Sequence, residues 1–336
     1  LRNVGQSGGF RRLKRSRRMR LPNQHNRKAI LKGTVQIVAL GLFVCAFAGI
    51  GLAQRTTSVA TAALTVKTEP GAKIWLNNIY FGTAGTNGEL TVKLPPKAPI
   101  EVRVRAAGFA PVAVKAGTQR TVAVALKRTD DAAELAFQAA ERQASIDRRE
   151  AIELFEKAIE LRPVFVEAHL ARARNLIETG DFIEAEASLA EARKAAPTLP
   201  EISAIAGRLY REEGDFAKAE AEFERALADG KGFQPEALTG LGMLYADRAE
   251  TPRGEDSLAA TLEYYSLAEA NLRKAIEQLA GAPDAKVVFQ YLGRLLERQG
   301  KAAEAIELYQ KFLEIFPDSV EATAVRSFIE QLRRPR

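Results

Sequence analysis

The sequence predicts an α+β chain in three parts: an N-terminal transmembrane or signal helix, a small all-β sandwich, and an all-α superhelical solenoid. Three observations predict it. The stretch from Gly33 to Ala53 runs 21 residues without a charge, the next seventy or so alternate apolar and polar side chains, and from Asp131 a helical pattern returns every 34 residues. Strands repeat every two residues and helical faces every 3.6, so each change of period marks a new domain. The resulting boundaries are a basic tail over 1–32, an apolar segment over 33–54, a β module over 62–128 and a helical stack over 132–334, with an insertion near 248–262.

Charge separates the same parts. The chain has 336 residues and a formal charge of +7, yet residues 1–55 hold 12 Lys and Arg with no acid, residues 62–130 hold 10 bases and 4 acids, and residues 131–336 hold 27 bases and 38 acids. The basic balance therefore belongs mostly to the tail, and nucleic-acid binding is not expected. Cys45 is the single cysteine and lies in the apolar run, so no intrachain disulfide or cysteine metal site can form. The two histidines, His25 and His169, share no motif, and His169 reads as ordinary packing. No cofactor or metal is expected.

About 20 apolar residues are enough to cross a bilayer as a helix, so residues 33–53 can span one. Upstream stand Arg11, Arg12, Lys14, Arg15, Arg17, Arg18, Arg20, Arg27, Lys28 and Lys32, a flank that the positive-inside rule keeps in the cytoplasm. The remainder is expected outside the cytoplasmic membrane of a bacterial cell. Ala46-Phe47-Ala48 and Gly51-Leu52-Ala53 also fit a signal-peptidase site, and a start at Met19 would shorten the tail to signal-peptide length. Single-pass anchoring and release to the periplasm both stay open.

In the β module, Ile100-Glu101-Val102-Arg103-Val104, Val112-Ala113-Val114 and Val122-Ala123-Val124-Ala125-Leu126 alternate as half-buried strands do. Pro70-Gly71, Asn77-Asn78, Asn87-Gly88, Pro95-Pro96 and Gly108 punctuate them as turns. Gly71 supplies a tight turn, and Ile74 and Leu76 share one face of the strand after it. The run TVKTEPGAKIWLNNIYFG, Thr65 to Gly82, with VRAAGF from Val104 to Phe109, resembles the PEGA family of small surface β modules. The resemblance implies a cell-envelope location. The module's excess of six positive charges permits contact with anionic headgroups or cell-wall polymer; otherwise it is a spacer.

The helical repeat has the form Ala, a large apolar residue, Ala, then Pro. Ala151, Phe155, Ala158 and Pro163 recur as Ala185, Leu189, Ala192 and Pro197, then as Ala219, Phe223 and Ala226, and finally as Ala305, Tyr309, Phe312 and Pro317. Gly180-Asp181, Gly214-Asp215 and Gly300-Lys301 precede three of these runs, and Ala173, Gly207 and Gly293 stand ahead as small crossing residues. A further copy starts at Gln234-Pro235-Glu236, but its second helix arrives about 14 residues late, near Ala268, Leu272 and Ala275, after the polar run TPRGED from Thr251. Small residues let two helices approach, the large one fills the crossing, and proline ends the second helix. Breaks every 30 or so residues exclude a coiled coil.

The pattern resembles the tetratricopeptide repeat family, with about five hairpins over 132–317 and a capping helix at 320–333. The resemblance implies that the first helix of each hairpin lines a concave groove. One position past the crossing residues stand Arg174, Arg208 and Arg294, with Arg211 and Arg298 following. Guanidinium forks suit carboxylates, so these five are the candidate partner-binding residues, for an acidic peptide or a chain terminus. Alternatively they pair with Glu178, Glu212 and Glu297 as solvated surface. The asparagines of the family's chaperone-tail clamp are absent from these positions.

The function expected is a non-catalytic envelope scaffold or adaptor that binds a partner protein through the groove. The alternative is glycan or anionic-polymer binding by the PEGA-like module, with the stack as recruiter. Catalysis by Glu255 and Asp256 has neither a nucleophile nor metal-ligand spacing behind it.

Overall fold

A computed structural model describes residues 63–93, 100–117, 119–251 and 258–334. The basic tail, the apolar segment with Cys45, the Pro95-Pro96 turn and the Glu255-Asp256 pair lie outside the described residues. Among the described residues, no helix is long and apolar enough to cross a membrane.

Seven strands come first: β1 Ala63–Lys67, β2 Lys73–Leu76, β3 Ile79–Thr83, β4 Glu89–Lys93, β5 Glu101–Arg105, β6 Val112–Lys115 and β7 Thr121–Ala123. They form two sheets, ordered β4-β1-β7 and β3-β2-β5-β6. Alternation places Leu64, Val66, Val92 and Val122 of the first sheet and Ile74, Leu76, Val102 and Val104 of the second in the core. Ile74 and Leu76 do share the buried face. Asn77 and Asn78 both have positive φ, 48° and 65°, as the two-residue turn joining β2 to β3 requires. β1 pairs antiparallel with β4 and parallel with β7. Thr65 N donates to Arg120 O and Val124 N to Lys67 O, each at 2.8 Å.

Eleven helices are described after the sheets: α1 Ala132–Gln143, α2 Arg148–Leu161, α3 Val166–Thr179, α4 Phe182–Ala195, α5 Pro200–Glu213, α6 Phe216–Asp229, α7 Pro235–Glu250, α8 Leu258–Leu279, α9 Ala285–Arg298, α10 Ala302–Ile315 and α11 Ala322–Arg333. Ten pair as five hairpins, α1 with α2 through α9 with α10, and α11 packs on α10. Local chemistry sets the ends. Asp131 and Asp147 accept from the first free backbone N–H groups of α1 and α2. Gly180 and Gly214 close α3 and α5 in the left-handed region, both at φ 82°. Pro163, Pro197 and Pro317 each follow the last residue of a second helix by two positions.

The Ala-large-Ala triads sit where the hairpins cross. Phe155, Leu189, Phe223, Leu272 and Tyr309 are buried, as are the alanines around them. A Cβ built on Gly207 would stand 2.5 Å from the Phe223 ring, and one on Gly242 would stand 2.6 Å from Leu272. One on Gly240, in the next hairpin, would also strike Phe223, and one on Gly293 would strike Tyr309. Phe223 therefore fills the gap between two consecutive hairpins and joins them into one core. Burying a side chain of that size contributes about 1.5–3 kcal/mol.

Two features differ from the sequence reading. The other second helices begin three residues before their first crossing alanine, whereas α8 begins ten residues before Ala268. The insertion is thus partly helical, adding about two turns to the start of α8. The β module, read as a spacer or a polymer-contacting unit, is also docked on α1, a contact the sequence reading did not include. Arg105 of β5 meets Glu134 at 3.1 Å, and Gln138 accepts from Gly108 N and donates to Phe109 O, each at 2.8 Å. The VRAAGF run thus provides the backbone groups that α1 reads. The described residues of the sandwich and of the helical stack belong to one compact unit.

Candidate functional site

The first helices of the hairpins form one wall of a cavity of about 1280 Å³, through residues of α3, α5, α7 and α9 that include Leu170, Arg174, Glu201, Glu236, Met243 and Tyr291. The opposite wall is the outward face of β2, β3 and β5, carrying Trp75, Tyr80 and Arg103. Strand alternation turns these three away from the sandwich core, where Ile74, Leu76 and Val104 lie. Trp75 and Tyr80 contact at 5.6 Å between ring centroids, and the Arg103 guanidinium carbon lies 5.2 Å from the Trp75 ring.

Three of the five candidate arginines line this cavity, and two do not. Arg174 bonds Glu236 at 2.7 Å and lies 3.9 Å from Glu201. Arg208 pairs with Glu178 across the α3–α5 boundary, and Arg211 with Glu212 at 2.6 Å. Arg294 is exposed, its guanidinium 5.3 Å from the Tyr291 ring, and Arg298 pairs with Glu250. Glu178 and Glu212 are thus partners, though Glu178 serves the neighbouring hairpin. Glu297 instead accepts from the Tyr309 hydroxyl at 2.6 Å.

The electrostatics follow from this pairing. Burial opposes the charge on Arg174, but Glu236 and Glu201 hold its guanidinium above the ordinary value. Burial pushes the Glu201 carboxyl up, with Arg174 pulling the other way and Glu236 adding to the rise. Burial also lowers Arg208. Asp284, at the start of α9, is exposed and lines the cavity; desolvation there and Glu236 raise its carboxyl while Arg174 opposes. No cation stands within 4 Å of Asp284 among the described residues. Arg174 and Arg208 were singled out from the sequence, whereas Glu201 and Glu236, which stand at the repeat spacing in the first turns of α5 and α7, were not.

His169 is buried, with Nε2 2.9 Å from Pro163 O, the packing role expected of it. Among the described residues, no group of three or more His, Cys, Asp or Glu is arranged to hold a metal ion.

A stack of paired helices with small residues at each crossing and its first helices on one wall defines a helical-repeat binding scaffold. Family models described as tetratricopeptide repeat match residues 144–209, 206–268 and 286–327, so the stack is built of tetratricopeptide repeats. No curated protein matches the chain in sequence. Among solved structures, yeast Tom70 is 18% identical with a TM-score of 0.48, over 60% of this chain and 40% of that one. A thermophilic TPR protein of Thermus thermophilus is 19% identical, TM-score 0.47, over 59% of this chain and 100% of that one. PilW, described as a widely conserved type IV pilus biogenesis factor, is 20% identical, TM-score 0.45, over 61% and 91%. The chain thus spans two-fifths of the Tom70 chain.

Proposed function

We propose that this chain is a non-catalytic adaptor of the bacterial cell envelope that holds a segment of a partner protein in the groove of its repeats. The observation that carries the reading is the 1280 Å³ cavity, because the first helices of four hairpins supply one of its walls. Apolar side chains such as Leu170, Met243 and Val287 alternate there with charged ones, a mixture that suits a polypeptide strand or helix. The sequence of residues 33–53 and its basic flank support a single pass through the inner membrane or export to the periplasm. The PEGA-like run supports the same compartment.

The β module serves in this reading as the second wall of the groove. Its Trp75, Tyr80 and Arg103 face the cavity, which supports that role over independent capture of cell-wall polymer. A photo-crosslinking residue at exposed Val287, compared with one at exposed Lys157 on α2, tests the reading in intact cells. A protein captured from position 287 and not from position 157 is the expected result. Equal capture from both positions rejects the groove. Protease protection of residues 63–334 in sealed spheroplasts, instead of their digestion, would reject the envelope location.

A further inference from the structure

Resting on the groove reading above, we infer that the cavity takes a cationic segment of its partner, a lysine or arginine side chain seated between Asp284 and the aromatic face of β2 and β3. The acidic peptide expected from the arginines alone is replaced by its opposite.

Charge balance gives the first reason. Arg174 is, among the described residues, the one cation within 4 Å of either Glu201 or Glu236, and Asp284 has none. Arg208 is committed to Glu178. Lys115, Arg103 and Arg211 also line the cavity, but beside Asp284 an incoming carboxylate would meet Glu201, Glu236 and Asp284 itself and would have to draw Arg174 out of its pairs. An incoming ammonium or guanidinium breaks nothing and completes Asp284.

The walls give a second and separate reason. The chain's own cations already use this surface: Arg103 lies over Trp75 at 5.2 Å, and Arg174 is held between two glutamates. Trp75, Tyr80 and Tyr291 offer aromatic faces to the same space as Asp284. Indole and phenol faces attract cations and gain nothing from carboxylates. Burial raises the pKa of the Tyr80 hydroxyl and the charge of Asp284 adds to the rise, in keeping with both lining one cavity.

Trp75 is the only tryptophan of the chain, which makes its emission a local reporter. Three synthetic ten-residue peptides of one apolar scaffold, differing only in carrying lysine, glutamate or glutamine at two positions, are titrated into the full chain. The lysine peptide is expected to shift Trp75 emission and to bind tightest, with affinity falling as salt rises. Asp284→Asn should weaken it about tenfold and Tyr80→Leu several-fold, while Glu160→Gln on the outside of α2 leaves it unchanged. Equal weakening by Asp284→Asn and Glu160→Gln would show only diffuse attraction to an acidic protein and overturn the inference. Tightest binding by the glutamate peptide would overturn the charge class and leave the groove standing. If no peptide moves Trp75 while position 287 still captures a partner in cells, the charge class falls alone; if position 287 captures nothing either, both readings fall.

Discussion

Arg105 on β5 and Glu134 on α1 meet at 3.1 Å with side chains only 6% and 3% exposed, so the joint between the sandwich and the helical stack is a buried ion pair. The Arg105 Nε–H is not directed along the contact, so the attraction is mainly Coulombic. Glu141 adds a second carboxylate at 3.8 Å, and the guanidinium lies 4.3 Å from the Phe137 ring. Burial pushes the Glu134 carboxyl up while Arg105 and Gln138 restrain the rise.

Removing one partner leaves the other charged and dry, which costs about 3–5 kcal/mol in such pairs. Arg105→Ala should therefore destabilise the chain by about 3 kcal/mol in urea unfolding, and Arg105→Met with Glu134→Leu should recover most of it. In the wild type, Trp75 emission and far-ultraviolet circular dichroism should report one transition. In Arg105→Ala, Trp75 should unfold at lower urea, because the sandwich loses its grip on α1.

Phe223 provides a packing test. Its ring occupies the space beside Gly207 of its own hairpin and Gly240 of the next. Gly240→Ala should cost about 1–3 kcal/mol by overpacking despite the better helix propensity of alanine. Phe223→Ala should cost about 3–5 kcal/mol through the cavity it leaves. Combined, the two should cost less than their sum, and a double-mutant cycle from chemical denaturation measures the difference.

Asp147 closes the start of α2 by accepting from Arg149 N at 2.9 Å and Glu150 N at 3.2 Å. Asp147→Ala should lower stability by about 1 kcal/mol and Asp147→Asn by less, since the amide oxygen still caps. Thermal unfolding of the two variants side by side checks the order.

Asp284 sets a pH dependence whose sign can be worked out. Its carboxyl is raised in the folded chain, so between the ordinary aspartate value of 3.8 and the raised one the folded state binds more protons than the unfolded state. Stability from this group therefore falls as pH rises through that window. Asp284→Asn should raise Tm at pH 7, and the gain should vanish below pH 3.8. Peptide affinity should move oppositely, because the lysine contact needs the ionised acid. Weakening should begin on acidification before the ordinary carboxylate range is reached. Glu201, Glu236, Arg174 and Tyr80 face the same space, and only the Asp284→Asn difference isolates its share.

The repeat architecture was legible because its signals are local. Ala185, Leu189 and Ala192 fall at fixed spacing on one helix, glycine and proline mark its ends, and a hairpin's packing partner lies nearby in sequence. The strands were legible for the same reason, as Ile74 and Leu76 show. The site was legible in part. Arg174 and Arg208 stand on the groove wall by helical position alone, but their partners Glu236 and Glu178 depend on how hairpins superpose. The Arg105–Glu134 joint escaped notice because Arg105 occupies an outward strand position that reads as solvated until α1 covers it. The late return of the crossing pattern after residue 251 suggested a loop up to Ala268, yet Leu258 through Tyr264 have adequate helix propensity and extend α8 toward its N-terminus.

The parallel register of β1 and β7 has a mechanical meaning. Because the two strands point the same way, the chain enters the sandwich at the start of β1 and leaves toward α1 at the far end of β7. A pull applied at Ala63 and at Ala123 drives the strands past each other along their length. The bonds from Thr65 N to Arg120 O and from Val124 N to Lys67 O then share the load in shear instead of opening one by one. Force along that axis therefore meets its resistance from both bonds at once.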